Sequence, residues 1–238
     1  MKHIPRFFVK DHLFTGAEII LDEGQSHQIT SVLRLNVGQK IYVFNSCNGE
    51  YLAELTSIHK KKSQVHLIEK IREAEETSEI HLFFAHLKTH RTEFILEKGT
   101  ELGVTHFHPC LFDYSMIRSF KIDKAQHHCI QAAQQCGRLT IPLLNEVDTI
   151  LNAIKKFEPN PAILCHLSAS ASSWKNLRFD KSQAVGIIVG PEGGMSERES
   201  TILMAQNHIS MVSLGPAILR AETAALAALS GLRLCSFC

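Results

Sequence analysis

The sequence predicts an α/β protein in which a small β-rich unit precedes a mainly parallel sheet flanked by helices. Three observations predict this class. Residues 1–72 contain segments that alternate apolar and polar positions, as half-buried strands do. Residues 80–238 alternate short apolar runs with helical stretches, the order that builds parallel sheets. Two of these runs end in loops, Gly190-Pro191 and Gly215-Pro216, and each loop leads into a predicted helix.

The β-rich unit is expected to contain one short helix and three strands. Ser26 is positioned to cap a helix that continues through Leu33. The predicted strands cover residues 39–45, 50–58 and 64–71, and Asn48-Gly49 is a typical hairpin turn between the first two.

A lysine cluster lies between the second and third of these strands, at Lys60, Lys61 and Lys62. It is either a solvated turn or a set of phosphate contacts, since lysines at a loop tip neutralise backbone charge without reading sequence. An acidic stretch, residues 73–79, follows the unit and is the predicted linker.

Alternating elements fill the remainder, residues 80–238. The predicted strands are 80–85, 104–110, 162–167, 184–189 and 209–214, with helices ending at Leu102 and spanning 123–136. Open α/β sheets bind ligands at the carboxyl ends of their strands. We therefore expect a ligand to be held mainly by backbone groups of the Gly-Pro loops, with these residues involved: Leu167, Gly190, Glu192, Gly194, Leu214, Gly215, Ile218, Leu219 and Thr223.

The composition of the loops restricts the ligand class. They lack the Lys and Ser/Thr spacing of a phosphate loop, and no G-x-G-x-x-G follows a strand. Because Glu192 would repel phosphate, a small uncharged or cationic ligand fits better. The alternative is that both loops are ordinary strand-ending turns.

Composition and length exclude several classes of protein. The 238 residues carry a net charge of +1, which is unusual for an RNA-binding protein, although a locally basic face can still bind phosphates. No 18-residue apolar run is visible, so no transmembrane helix is expected. The N-terminus lacks the apolar segment of a secretory signal, so a secreted protein is not expected. The seven scattered cysteines indicate reduced thiols in a cytoplasm. Cys235 and Cys238 have C-x-x-C spacing without a partner pair, so no metal site is expected.

Several polar residues near strand or helix ends could carry chemistry. Ser196 and Glu199 have the spacing of a capping box, which indicates a structural role. Arg220 and Glu222 open the last helix and either pair with each other or with solvent, or orient a substrate anion. The candidate RNA-contacting residues are Arg6, Arg34, Lys60, Lys61, Lys62, Lys88, Arg91 and Arg138.

Specific segments also resemble one enzyme family. Residues 190–194, Gly-Pro-Glu-Gly-Gly, and 214–224, Leu-Gly-Pro-Ala-Ile-Leu-Arg-Ala-Glu-Thr-Ala, look like the signature of the SPOUT-class RNA methyltransferases, and are most similar to the 16S rRNA uridine-N3 methyltransferase family. Residues 98–104 and 132–138 match the same family, as do His27, Val32-Leu33-Arg34 and Gly38 near the N-terminus. The resemblance covers most of the chain. It differs at Gln134, Tyr114 and Met195, where the family pattern predicts Glu, Arg and an aromatic residue.

The resemblance implies a fold, a cofactor and a partner. It implies a PUA-like barrel that binds RNA over residues 1–72 and a knotted SPOUT domain over 80–238, which binds S-adenosylmethionine and forms a homodimer. It also implies methylation of uridine N3 in 16S rRNA, as free rRNA or within the small ribosomal subunit, with Arg220 and Glu222 as catalytic residues. The alternatives are a non-catalytic RNA-binding or ribosome-assembly protein that keeps the fold, and a nucleotide-dependent enzyme of ordinary Rossmann type.

Overall fold

A computed structural model describes residues 4–75, 77–85, 89–115, 120–166, 174, 177, 179–180 and 182–236. The chain divides into two compact units. The first comprises Met1–Glu76 with Ala133–Ile141, and the second comprises Thr77–Ala132 with Pro142–Cys238.

The first unit is built on one mixed sheet. Its strands are β1 (Arg6–Phe8), β2 (Glu18–Ile20), β3 (Lys40–Asn45), β4 (Gly49–Ser57) and β5 (Gln64–Arg72), in the order β1-β3-β4-β5-β2. β3 and β4 pair antiparallel as the hairpin that Asn48-Gly49 predicts, and β1 pairs parallel with β3. Alternate residues such as Ile41, Val43, Val65 and Leu67 are fully buried and form the core.

The short helix of this unit begins earlier than the sequence predicts. Asp22, not Ser26, is the N-cap of α1 (Glu23–His27), and Asp22 with Gln25 forms a capping box; a π-helical turn, Gln28–Val32, follows. Ser26 is fully buried. Its hydroxyl donates to the Leu21 carbonyl over 3.3 Å and accepts from the Ser63 N–H over 2.8 Å. The predicted cap is wrong because Ser26 satisfies buried backbone groups instead.

The second unit is a parallel sheet with helices. Its elements are β6 (Ile80–Ala85), α2 (Thr89–Glu101), β7 (His106–Leu111), α3 (Ile122–Cys136), β8 (Leu143–Leu144), β9 (Asp148–Thr149), α4 (Ile150–Phe157), β10 (Ala162–Cys165), β11 (Val185–Val189), α5 (Glu197–Met204), β12 (Ile209–Val212) and α6 (Ala221–Ser236). The strand order is β12-β10-β11-β6-β7-β8, with β9 also paired to β7, and each of these pairings is parallel. The predicted α/β class is therefore confirmed.

One segment belongs to a different unit from the one expected. Residues 133–141, including the end of α3, cluster with the first unit. The Arg6 guanidinium donates to the carbonyls of Ala133 and Gln134, and Arg72 donates to the carbonyl of Gly137. These bonds to main-chain oxygens explain the grouping, which no local pattern signals.

The last helix, α6, packs against α2 and β11 through small and apolar residues. Ala225, Ala228 and Leu229 are buried within the unit, whereas Leu234 is 71% exposed. A Cβ atom on Gly231 would lie 3.1 Å from the indole of Trp174, so the absence of a side chain at this position lets the ring approach α6 closely. None of the helices in the described part of the chain combines the length and the apolar composition that a membrane span requires.

Candidate active site

A cavity of about 330 Å³ lies at the carboxyl ends of β10 and β11, within the second unit. Its size is that of a small-molecule site. Its wall combines strand ends, both Gly-Pro loops and the start of α6. The lining residues are Cys165, His166, Val189, Gly190, Pro191, Glu192, Gly194, Met195, Ser200, Leu214, Ala217, Ile218, Leu219, Ala221 and Ala224.

Most of the residues predicted to bind the cofactor line this cavity: Gly190, Glu192, Gly194, Leu214, Ile218 and Leu219. Gly215 and Thr223 lie next to lining residues rather than in the wall. Gly215 has a φ of +108°, a conformation that other residues adopt only with strain, and so it shapes the second loop. Leu167 lies outside the described residues.

The predicted ligand residues do not include Cys165, His166 and Ser200, which also line the wall. Cys165 and His166 reach it because β10 lies beside β11 in the sheet. The sequence feature that could have indicated these two residues was their position at the end of an apolar run. Ser200 comes from the first turns of α5 and depends on helix packing, which a local pattern does not report.

The charge of the lining favours a ligand that is not anionic. Among its described residues, Glu192 alone carries a formal charge, and the other side chains are apolar or neutral. A phosphate in this cavity would meet a carboxylate and no cation from the wall. This geometry agrees with the ligand class that the loop sequences predict.

Arg91 joins two carboxylates beside the cavity. It forms an ion pair with Glu192, and its Nε lies 3.7 Å from Oε1 of Glu222. The Glu222 side chain is 13% exposed, and its second oxygen is buried with no hydrogen-bond partner among the described residues. Arg91 therefore holds both carboxylates in place, a role different from the phosphate contact predicted for it.

Arg220 is exposed and, among the described residues, pairs with no side chain, so it does not form an ion pair with Glu222. It follows Leu219 of the cavity wall and precedes α6. Its guanidinium is thus available to a group that approaches the mouth of the second loop.

A buried capping box anchors the helix that follows the first loop. Ser196 caps α5 and Glu199 accepts the Ser196 N–H over 3.0 Å, which confirms the predicted box. The other oxygen of Glu199 accepts the N–H of Asp113, and the Asp113 carboxylate accepts from Ser196 and Arg198. Hydrogen bonds from Arg198 and then Ser196 lower the pKa of Asp113. The segment after β7 is therefore attached to the start of α5.

Tyr114, at a departure from the family pattern, lies beside the first loop. A Cβ atom on Gly193 would be 3.6 Å from its Cβ, and Tyr114 is 57% exposed. Met195, a second departure, is part of the cavity wall.

Arg6 has a structural role that corrects its prediction as an RNA contact. Its side chain is 8% exposed and forms an ion pair of 2.5 Å with Glu50, which is 4% exposed. It also lies over the Phe44 ring and donates to the carbonyls of Ala133, Gln134 and Arg138. The guanidinium is therefore fully engaged inside the first unit.

Gln134, the third departure, has a structural hydrogen bond. Its side-chain oxygen accepts the N–H of Phe8 over 3.1 Å. A glutamate at position 134 could accept the same bond through one of its oxygens. The contact is therefore satisfied by either residue and gives no evidence for a catalytic carboxylate here. Arg138 lies nearby in the chain and donates to the Thr140 hydroxyl over 2.6 Å.

The other basic candidates of the first unit are exposed. Arg34 has a positive φ of 51°, and Lys60, Lys61 and Lys62 occupy the β4–β5 loop, where Lys61 lies 3.7 Å from Glu23. Lys88 lies outside the described residues.

Comparison with known proteins decides the family. A family model described as RNA methyltransferase domain matches residues 74–233, and one described as RNA methyltransferase PUA domain matches residues 21–68. The chain belongs to this RNA methyltransferase family. The predicted membership and the PUA-like character of the first unit are thus confirmed.

Curated members of the RNA methyltransferase family match nearly the whole chain. A ribosomal RNA small subunit methyltransferase E from Rickettsia conorii is 31% identical, with 96% of this chain and 95% of the relative covered. One from Buchnera aphidicola is 30% identical, with 98% and 97% covered.

Solved structures of the family share the fold. A small subunit methyltransferase E from Neisseria gonorrhoeae bound to S-adenosyl methionine superposes with a TM-score of 0.90 at 28% identity, covering 98% of each chain. A Legionella pneumophila protein in complex with bound SAM superposes with a TM-score of 0.87 at 28% identity, again over 98% of each chain.

Proposed function

We propose that this protein is an enzyme that uses S-adenosylmethionine to methylate N3 of a uridine in small-subunit rRNA. The cavity formed by the two Gly-Pro loops is the observation that carries the proposal. The activity is supported by family membership and by the names of relatives that align end to end with the chain. The position on the uracil ring rests on the loop sequences at 190–194 and 214–224.

The residues of the cavity fit S-adenosylmethionine. Its sulfonium is cationic, and the lining offers Glu192 and neutral groups without a lysine or arginine. Backbone groups of Gly190, Leu214 and Leu219 are positioned to hold the polar parts, while Met195 and Ile218 supply apolar contact. When bound there, the cofactor supplies an electrophilic methyl group.

The protein must make a weak nucleophile reactive. Uracil N3 carries a proton and becomes nucleophilic as that proton leaves, so negative charge develops on the base. Arg220, exposed and unpaired among the described side chains, is placed to stabilise that charge. Because N3 lies on the Watson–Crick edge, the target uridine must be unpaired before it enters.

Glu222 is the proposed proton acceptor. Its Oε2 has no hydrogen-bond partner among the described residues, so its lone pair is uncommitted, and the entering base must uncover this enclosed atom to reach it. Arg91 stabilises the negative charge of both Glu222 and Glu192. In this arrangement Arg91 is a positioning residue, and Glu222 carries the general base role.

The first unit is the proposed RNA-binding arm. Its exposed cations, Arg34 and Lys60–Lys62, can neutralise phosphates, whereas Arg6 cannot because it is buried. The RNA is proposed to be small-subunit rRNA, free or assembled.

A homodimer in the cytoplasm is also part of the proposal, supported by the exposed apolar residues Ile218 and Leu234 near α6. Sedimentation of the purified protein as a monomer at micromolar concentration would contradict the dimer.

A methylation assay tests this function. Small subunits and rRNA lacking the modification are incubated with the full chain and labelled S-adenosylmethionine, and the product is mapped to the base. Arg220→Ala should keep cofactor affinity and slow methyl transfer by roughly 100- to 1000-fold, the effect of losing one transition-state charge contact. Binding of RNA without any transfer by the parent chain would favour the non-catalytic alternative.

Glu222 needs a comparison of two substitutions. If it accepts the proton, Glu222→Gln and Glu222→Ala lose the rate similarly, by about 100-fold or more. If it only anchors Arg91, Glu222→Gln retains most of the rate because an amide oxygen still accepts from the guanidinium. The second result would remove Glu222 from the chemistry without affecting the cofactor assignment.

A further inference from the structure

A cluster of histidines lies at the start of β6 and β7, at the opposite strand ends from the cavity. His81 of β6 is in register with His106 of the parallel strand β7. Glu79 and His108 lie two residues away from these positions, and side chains two residues apart in a strand share a face. One sheet face therefore presents a carboxylate and three imidazoles together.

Three of these groups can reach a common point. One ligand atom from each of Glu79, His81 and His106 lies within 4.8 Å of the other two. Zinc bound at about 2.0–2.2 Å to nitrogen and oxygen requires donors roughly 3.3 Å apart in a tetrahedron. The group closes by small movements of the outer side chains, since Glu79 is 59% exposed and its Oε2 is already 3.4 Å from Nε2 of His81.

The Thr105 hydroxyl provides an outer partner for His106. It lies within bonding distance of the Ile80 carbonyl, the Ile80 N–H and Nδ1 of His106. When its single proton is donated to the Ile80 carbonyl, it accepts from Nδ1–H of His106. That tautomer has its lone pair on Nε2, the atom that a metal would bind.

His108 provides the supporting contact for His81. Nδ1 of His81 lies 2.9 Å from Nε2 of His108, so a metal on the other nitrogen of His81 leaves Nδ1–H to donate to His108. Metal-binding histidines almost always have such an outer partner. Phe83 stacks on His108 and Phe157 covers His81, which excludes water from this side of the group.

We propose that Glu79, His81 and His106 bind one zinc-class divalent cation, with His108 as the outer partner of His81 and water completing the coordination. Two imidazoles and one carboxylate are zinc ligands, and imidazole donors disfavour Mg²⁺ and Ca²⁺. The parallel stacking of the His81 and His106 rings, with centroids 4.1 Å apart, is the metal-free arrangement. Binding turns the outer ring, His106, toward the shared point.

Metal titration of the full chain tests the site. Zinc-free protein is titrated with Zn²⁺ by calorimetry and with Co²⁺ by visible absorption. The expected result is one equivalent per chain, with the bands of nitrogen and oxygen coordination and no thiolate charge-transfer band. His106→Gln and Glu79→Gln should each weaken binding by at least about 100-fold, and His108→Gln by about 10- to 100-fold.

His127→Gln, on the exposed surface of α3, is the matched control and should bind like the parent. Melting curves without metal confirm that each variant folds. Absence of saturable binding, a thiolate band, or affinity in both His106→Gln and Glu79→Gln within about threefold of the parent would overturn the site. In that case the rings only pack against one another.

Discussion

Substitution of Arg6 can distinguish a structural role of this residue from a role in binding RNA. Arg6→Met removes a cation from a pair in which both side chains are less than a tenth exposed. Breaking a buried pair costs about 3–5 kcal/mol, because the remaining charge stays buried. Arg72, 3.6 Å from the other oxygen of Glu50, compensates part of that cost. The Arg6 contacts with carbonyls at the end of α3 add about 0.5–1 kcal/mol, so we expect a loss of about 3–4 kcal/mol.

Urea denaturation measures the loss, and hydrogen exchange of the β3 and β4 amides assigns it to the first unit. The double variant Arg6→Met, Glu50→Leu should recover at least half of the stability, since an apolar pair leaves no buried charge. Lys61→Ala is the control, because the Lys61 side chain is 78% exposed. This variant should keep a stability within about 0.5 kcal/mol of the parent, and it should bind RNA more weakly and with less dependence on salt. An Arg6→Met protein with parental stability and weakened RNA binding would refute the structural assignment.

Three further predictions concern the cavity and its support. Gly190→Val should reduce cofactor affinity at least tenfold, as measured by isothermal calorimetry. A Cβ atom at position 190 would lie 3.2 Å from Met195 Cγ, and the valine methyl groups would take up space in the cavity. Gly193→Ala is the control and should bind normally, because its Cβ would lie 3.6 Å from Tyr114. Asp113→Asn should loosen the start of α5, weaken cofactor binding in the same calorimetric assay and remove one source of acid sensitivity. A carboxylate with a lowered pKa stabilises the fold above its unfolded pKa and loses that effect as pH falls through the folded value, so unchanged acid denaturation would contradict this. Burial raises the pKa of Cys165 to about 12, so iodoacetamide at pH 8 should label the exposed Cys47 and Cys136 before Cys165. Peptide mass spectrometry would show this order, and labelling of Cys165 should increase with pH.

The features that could be predicted from the sequence are those set by neighbouring residues in the chain. The Gly-Pro loops located six of the predicted ligand residues in the cavity wall, because strand ends and turns are set by neighbouring residues. Ser196 and Glu199 were assigned correctly for the same reason. Helix α4 was not predicted, although Ile150, Ala153, Ile154 and Phe157 have helical spacing and are all buried.

Contacts between distant segments could not be predicted in this way. Arg6 looked like any basic residue near a chain start, and its partner Glu50 belongs to another strand. Arg91 likewise gave no sign that Glu192 and Glu222 would converge on it. The two histidine ligands of the proposed metal site, His81 and His106, come from two strands, so no single motif contains them.

The contact between Trp174 and Gly231 gives the second unit a built-in optical reporter. The chain has one tryptophan, whereas Tyr42 and Tyr51 lie in the first unit. Indole fluorescence, excited at the red edge where tyrosine does not absorb, therefore arises from the neighbourhood of α6 alone. Comparison of its emission during unfolding with far-ultraviolet dichroism shows whether the two units lose structure together, since coincident transitions mark a single cooperative event.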